Sequence, residues 1–261
     1  MNEDRYAEYG AATGIAFAVF AVIGFLLIGA DAPRLDAATD EWPQHFDDNQ
    51  GAIRAGLILV TIAAFFFIWF LGTVSSTLWI AAGEPRLPSI AFAGGILAVA
   101  SLFIMATAIA VATLHPETRS PELTRTLNDF GVMAGLPLIA GIAAFFGAIA
   151  LVILRSASGL PAWLGWLSLV AGVAQLLAFG IVFTDKGAFA GDGVLGLYVP
   201  FAVAIIAVVA LSALLTAWAR EAARPGEIGF TDRIRGGVTG AVTGAAAGVR
   251  GERTTTQRPS Q

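Results

Sequence analysis

The sequence predicts an all-α fold, a polytopic transmembrane bundle of six helices, and three observations lead to this prediction. First, apolar residues make up 57% of the chain and charged residues only 13%, against about 25% charged residues in a typical globular protein. Second, six long apolar stretches with almost no internal charge follow one another along the chain. Third, these stretches lack the strict alternation of membrane β-barrel strands, so a helix is the form that pairs their backbone polar groups.

Each stretch is long enough to be a spanning helix, because about 20 apolar residues cross a hydrocarbon core of about 30 Å. The predicted spans are residues 11–30, 55–80, 89–113, 130–154, 162–184 and 194–219. Small residues within them, such as Gly94 and Gly95 with Ala98, predict that neighbouring helices pack closely. The chain therefore divides into a short N-terminal segment 1–10, a six-span transmembrane domain 11–220 and a C-terminal tail 221–261.

The charges of the loops predict that both termini are cytoplasmic. With this orientation, ten Arg and Lys residues lie on the cytoplasmic side and five lie outside, as the positive-inside rule requires. Four tryptophans then fall near the cytoplasmic boundary, where indole rings anchor helices. These residues are Trp79, Trp163, Trp166 and Trp218.

The first outer loop is the most acidic part of the predicted outer face. Its candidate interaction residues are Asp40, Glu41, His45, Asp47 and Asp48. One interpretation is a site for a cation or a basic partner, since carboxylate oxygens suit hard divalent ions. The other is a solvated loop, because the spacing matches no metal-binding loop. We expect a short helix from about Thr39 through Phe46, favoured by the acids at its N-terminus.

The second outer loop contains a helix-start signal at Ser120-Pro121-Glu122. A serine hydroxyl can accept a hydrogen bond from a free amide at a helix start, and proline is tolerated in the first helical position. The signal predicts a short surface helix over about 121–128. The neighbouring Arg119 and Arg125 are expected to be exposed charges balanced by nearby glutamates rather than part of a site.

The residues that usually carry chemistry are missing from the predicted spans. The two histidines, His45 and His115, fall in outer loops, and the chain has no cysteine. Haem ligation within the bundle and thiolate metal or redox chemistry are therefore not expected. No span has a Lys, Asp or Glu in its middle, so an intramembrane proton relay lacks its usual groups. We predict a protein that is not an enzyme, with no catalytic residues, no cofactor and no metal.

Two proline-bearing helices are the best candidate for a pocket inside the membrane. Pro137 and Pro200 each lie about seven residues into a span that enters from the outer side. Interruptions at matching depths are a pointer to a transport site, and Tyr198 and Gln175 would lie near them. The other interpretation of Gln175 is an interhelical hydrogen bond, worth about 0.6 kcal/mol.

The C-terminal tail differs sharply from the spans. Residues 236–249 are rich in glycine, so we expect the tail 221–261 to be disordered. From Arg220 onward seven Arg face four acids, a net charge of +3. This charge would attract anionic lipid headgroups weakly, by about 1 kcal/mol per cation. Nucleic-acid binding is not expected, because the cations are few and only Phe230 supplies an aromatic ring.

Several segments resemble a six-span integral membrane protein family of unknown function found in actinobacteria. The acidic loop 40–49, Ile53-Arg-Ala-Gly56 and Phe66-Phe-Ile-Trp-Phe-Leu-Gly72 resemble the first loop and second helix of that family, and Leu160-Pro-Ala-Trp-Leu-Gly-Trp166 resembles the start of its fifth helix. The resemblance covers about residues 5–220. It implies six helices in a bacterial plasma membrane, and it carries no catalytic residues over to this chain.

Two functional hypotheses follow. The first is a non-enzymatic plasma-membrane protein that acts through contact with lipids or with another membrane protein. The second is a small carrier or lipid-handling protein with a pocket between the proline-bearing helices. A polar, open cavity lined by Gln175, Tyr198 and the Pro137 turn would favour the carrier, and a dry, closely packed bundle would favour the first hypothesis. The oligomeric state does not follow from the sequence.

Overall fold

The structure is a computed structural model that describes residues 3–29, 31–115, 118–155, 159–222, 230–232 and 234. Its main α-helices are α1 (Glu3–Gly29), α2 (Glu41–Asp48), α3 (Gln50–Ala82), α4 (Arg86–Ala112), α5 (Pro121–Met133), α6 (Leu136–Arg155), α7 (Ala162–Leu177) and α8 (Val199–Ala222). A 3₁₀ turn, Ala178–Val182, extends α7, and a π-helical turn, Val194–Tyr198, precedes α8.

Six helical segments are long and apolar enough to cross a membrane, which is the architecture of a multi-pass membrane protein. They are Ala7–Gly29, Gln50–Ala82, Arg86–Ala112, Pro121–Arg155, Ala162–Val182 and Val194–Glu221. The predicted all-α bundle of six spans is confirmed. Helix α1 begins at Glu3, so the segment expected to precede the first span is largely part of that helix.

Local sequence explains where several helices begin and end. Helix α3 ends at Gly83, whose φ of 68° is favourable for glycine and whose N–H donates to Trp79 O at 3.0 Å. Helix α5 begins where Ser120 Oγ accepts from Leu123 N at 3.3 Å, as predicted, and it runs on to Met133. The fourth span therefore consists of α5 and α6, which are separated by a turn at residues 134–135.

The spans form a closed ring in chain order. Helix α1 packs on α3, α3 on α4, α4 on α6, α6 on α7, α7 on α8, and α8 returns to α1. The interior is filled by aromatic side chains, with Phe67 and Phe145 edge to face at 5.7 Å and Phe145 next to Phe146 at 5.0 Å. Large apolar side chains such as Phe65 and Ile104 are exposed on the outside. Apolar groups on both sides of the helices require an apolar surrounding medium.

Glycine lets two pairs of helices approach until their backbones touch. A Cβ atom on Gly24 of α1 would lie 2.9 Å from Gly56 O of α3, and one on Gly94 of α4 would lie 2.6 Å from Gly141 O of α6. Real Cβ atoms do not come this close to a backbone oxygen. The predicted close packing at Gly94 is confirmed.

A serine hydroxyl joins the first and sixth spans. The hydroxyl of Ser212 on α8 donates to Ala11 O at 2.5 Å, and Ser212 Oγ accepts from Ile15 N at 3.1 Å. These two backbone groups of α1 are the pair that an α-helix normally joins directly. The hydroxyl therefore inserts into the hydrogen-bond ladder of α1 and ties that helix to α8.

We call the end of the bundle that carries residues 31–49 the loop end, and the opposite end the terminal end. The terminal end contains the C-terminus of α3 and the N-terminus of α7, and the exposed rings of Trp79, Trp163 and Trp166 lie there.

In the expected disordered tail, Phe230 and Ile234 are instead buried, and Gly159 N donates to Ile234 O at 3.3 Å. Apart from residues 221–222, 230–232 and 234, the predicted tail lies outside the described residues.

Candidate functional site

Helix α2 presents most of the predicted interaction residues on one face. Its buried side chains are Trp42, His45 and Phe46, which lie against the bundle. The four carboxylates are exposed on the other side, and they are Asp40, Glu41, Asp47 and Asp48. Trp42 and Phe46 share an apolar cluster with Ile53, Leu57 and Ala112, so the spans anchor the helix. The acids therefore stand on a fixed helix rather than on a loose loop.

His45 is separated from the acids that surround it in the sequence. Its ring lies edge to face with Phe46 at 5.5 Å, and its Nδ1 lies 3.2 Å from Asn49 Nδ2. An amide nitrogen can only donate, so Nδ1 accepts and the ring proton is placed on Nε2. Burial lowers the pKa of His45, and the carboxylates of Asp31 and Asp48 oppose this shift only in part. The ring is therefore neutral near pH 7.

A metal site in the first loop gains no support from this geometry. Within the residues that the structure describes, no group of three His, Asp or Glu side chains could hold a metal ion. The buried position of His45 explains part of this, because its ring packs on Trp42 and Phe46 instead of joining the exposed carboxylates. The acidic face of α2 can attract positive charge, and it does not form a cage around an ion.

Arg125 of α5 holds the first loop in place. Its guanidinium donates from Nη1 to Ala37 O at 2.8 Å and to Thr39 Oγ1 at 3.3 Å, and from Nη2 to Leu35 O at 3.1 Å. The expectation that Arg125 is an exposed charge is wrong, since 29% of its side chain is exposed and three acceptors surround it. The planar fork of arginine suits several acceptors at once.

The loop before α8 is also joined to the first loop. Asp192 Oδ2 accepts from Leu35 N at 3.2 Å and lies 3.8 Å from Arg34 Nε. Lys186 lies 3.9 Å from Asp36. We call the assembly of residues 31–40, α2, α5 and residues 183–193 the cap. It is a connected structure in which α5, the first loop and the last loop hold one another.

A cavity of about 230 Å³ opens between the first loop, α5 and the end of α7. We call it the cap cavity. Its polar lining residues are Arg125, Asp129, Thr184 and Asp185, and its apolar lining residues are Leu35, Val132, Met133 and Ile181. Asp129 and Asp185 were not among the predicted site residues. The spacing of Arg125 and Asp129, four residues apart on one helix, is the local signal that could have paired them, whereas no local signal brings Asp185 to α5.

Of the two proline-bearing helices, α8 is joined to α7 by a hydrogen bond, and no such bond joins it to α6 within the described residues. Gln175 is buried, and its Nε2 donates to Pro200 O at 2.9 Å. Each proline lies in the first turn of a helix after an interruption, the turn at 134–135 for Pro137 and the π-helical turn for Pro200. Pro137 and Tyr198 are exposed, and Tyr198 lies edge to face with Phe25 at 6.4 Å. The structure thus brings Gln175 and Pro200 together and leaves Pro137 and Tyr198 on the outside.

A second cavity, of about 320 Å³, is an open groove between α3 and α4. Its lining includes Thr61 and Thr107, whose hydroxyls donate to Leu57 O and Phe103 O within their own helices. The threonine hydroxyls therefore need no external partner. Neither this groove nor the cap cavity is lined by any of the four predicted pocket residues.

Comparison of the chain with protein families, with curated proteins and with solved structures found no match. The resemblance to an actinobacterial six-span family therefore stays a prediction from the sequence, and what this protein does has to be inferred from its own residues.

Proposed function

We propose that this chain is a multi-pass protein of the bacterial plasma membrane that acts by contact with a basic partner at the cap and catalyses no reaction. The observation that carries the proposal is the acidic face of α2, whose carboxylates stand on a helix that Trp42 and Phe46 anchor in the bundle. In the proposed topology both termini are cytoplasmic and the cap lies outside the cell.

A fixed acidic face suits a binding role for two physical reasons. Ordering flexible groups on binding costs free energy, and a helix that is already anchored in the free protein needs little further ordering. Complementary charge speeds encounter and selects partners of opposite sign. The exposed carboxylates of Asp40, Glu41, Asp47 and Asp48 therefore favour a positively charged segment of another membrane protein as partner, with membrane lipids around the spans.

The alternative, a small carrier or lipid-handling protein with a pocket between the proline-bearing helices, has less support. The amide of Gln175 is already used by the Pro200 carbonyl. The centre of the ring is filled by Phe67, Phe145 and Phe146 rather than by polar groups. A carrier would need its substrate to replace the Gln175 hydrogen bond.

Site-specific photo-crosslinking in native membranes tests the proposal. A photo-reactive residue at Glu41 is expected to give a discrete crosslinked protein, and the double variant Asp40→Lys, Asp47→Lys should reduce its yield strongly. A photo-reactive residue at Glu84, exposed at the terminal end, is the position control, and Glu84→Lys is the charge control. An adduct that survives the charge reversal, or one that forms equally from position 84, would refute the proposal.

A further inference from the structure

The cap cavity combines acidic and apolar walls at the point where the spans meet the cap. Two carboxylates, Asp129 and Asp185, line it together with Val132, Met133 and Ile181. Its volume of about 230 Å³ corresponds to about eight water molecules at ~30 Å³ each. It is thus large enough for a small organic molecule and too small for a folded segment of a partner.

The charged side chains that line the cavity sum to a net negative charge, because two carboxylates outnumber the single cation, Arg125. The guanidinium of Arg125 already donates to Leu35 O, Ala37 O and Thr39 Oγ1. Asp129 lies at 3.8 Å from Arg125 Nε, which is a long ion pair, and its side chain is 50% exposed. Among the described residues Asp185 has no ion-pair partner, since the nearby Lys186 pairs with Asp36. Two carboxylates therefore face one cation whose donors are mostly occupied.

We propose that the cap cavity binds an organic ammonium ion, with its charged nitrogen between Asp129 and Asp185 and its short apolar body against Val132, Met133 and Ile181. A carboxylate accepts charge-assisted hydrogen bonds from an ammonium, and these are stronger than neutral ones. An anion would meet two carboxylates, and a bare metal ion would find two acidic ligands beside apolar walls. The site is separate from the carboxylates of α2, so it does not depend on the proposed partner.

The same ammonium chemistry has two sources, a free amine and the ethanolamine headgroup of a phospholipid. Calorimetric titration of the full chain in dodecyl maltoside micelles with phenethylammonium chloride tests the chemistry, with protein-free micelles as blank. Saturable binding is expected for the ammonium, and binding of neutral 2-phenylethanol should be at least about tenfold weaker, the factor that one hydrogen bond to a charged group supplies.

Near-isosteric variants test which carboxylates bind the ammonium ion. Asp129→Asn and Asp185→Asn should each weaken phenethylammonium binding by about tenfold or more, whereas Asp47→Asn, on the exposed face of α2, should leave it unchanged. Met133→Trp fills the cavity without removing a charge and should abolish binding. Gel filtration and circular dichroism identify variants that fail to fold, and the remaining variants still test the site.

Competition in nanodiscs distinguishes the two sources of the ammonium group, a free amine and a phospholipid headgroup. Weaker phenethylammonium binding in phosphatidylethanolamine discs than in phosphatidylcholine discs, whose headgroup has the same net charge but no N–H donor, assigns the headgroup as ligand, and equal binding assigns a free amine. The proposal is overturned by absent saturation, by equal affinity for the neutral alcohol, or by unchanged affinity in both Asp→Asn variants. Loss of the crosslinked partner with intact ammonium binding would overturn only the proposed function.

Discussion

Replacement of Gly141 by alanine tests the closest helix contact in the bundle. A Cβ at Gly141 of α6 would lie 2.8 Å from Ala98 N of α4 and closer still to Gly94 O, and both are backbone atoms that cannot rotate away. Ordinary contacts of a Cβ begin near 3.4 Å. The two helices would therefore have to separate by at least about 0.6 Å, which also loosens the packing around the contact.

The matched control is Gly147→Ala on the same helix. A Cβ at Gly147 meets no atom within 4 Å, so alanine adds only its helix propensity, which favours folding by up to about 1 kcal/mol. Overpacking at Gly141 costs about 1–3 kcal/mol. Both variants gain the same helix propensity, so we expect them to differ in free energy of unfolding by the overpacking cost alone, about 1–3 kcal/mol, with Gly141→Ala the less stable.

Titration with SDS in mixed micelles measures this difference, with helicity followed by circular dichroism and packing by tryptophan fluorescence. Gly141→Ala should unfold at a lower SDS fraction than the unmodified chain, and Gly147→Ala at the same fraction or a higher one. If Gly141→Ala and Gly147→Ala unfold together, α4 and α6 do not approach each other at this glycine, and the derived packing is wrong.

Three further predictions concern the cap and the α7–α8 contact. Arg125→Lys keeps the positive charge but cannot make the several guanidinium hydrogen bonds to residues 35–39 at once, so the amides of these residues should exchange hydrogen about ten- to a hundredfold faster. Unchanged exchange would mean that the guanidinium does not hold the loop. Because the pKa of His45 is lowered in the folded state from its ordinary value of 6.5, the unfolded state binds more protons below that pH, and cap stability should be constant above about pH 7 and fall toward pH 5. His45→Gln should flatten this profile. Protection factors of the cap amides, corrected for the intrinsic exchange rate at each pH, that stay the same between pH 7.5 and 5 would contradict the prediction. Gln175→Leu should lower bundle stability by about 0.6–1.7 kcal/mol in SDS titration, whereas Ser168→Ala, which loses a bond within its own helix, should change it less; equal effects would refute a special role of the glutamine.

The sequence was sufficient for features that depend on neighbouring residues. Hydropathy is summed over one segment at a time, so all six spans were predicted within a few residues, except that the fourth begins at Pro121 rather than near residue 130. The start of α5 depends on Ser120 and Pro121 alone, and it was predicted for the right reason. For Gln175 two interpretations were open, and the bond to Pro200 supports the interhelical one.

Features that depend on distant residues were not predictable in this way. Arg125 reaches carbonyls almost 90 residues away, whereas the half-buried Arg119 donates to Val111 O, only eight residues away, and nothing in the neighbouring sequence distinguishes the two arginines. The burial of Phe230 and Ile234 also depends on a docking surface elsewhere in the chain, whereas local glycine content pointed to disorder. The cap cavity requires three separate segments, so its acids look like ordinary loop charges in the sequence.

The link through Ser212 has a consequence for how the protein is made. Ser212 follows Ile15 by 197 residues, and a ribosome working at about 5–20 residues per second needs about 10–40 s to synthesise that stretch. During this interval α1 is already in the bilayer, held chiefly by α3, with one flank open. Assembly can finish only when the sixth helix leaves the translocon, and until then the nascent protein offers its open flank to chaperones and membrane proteases.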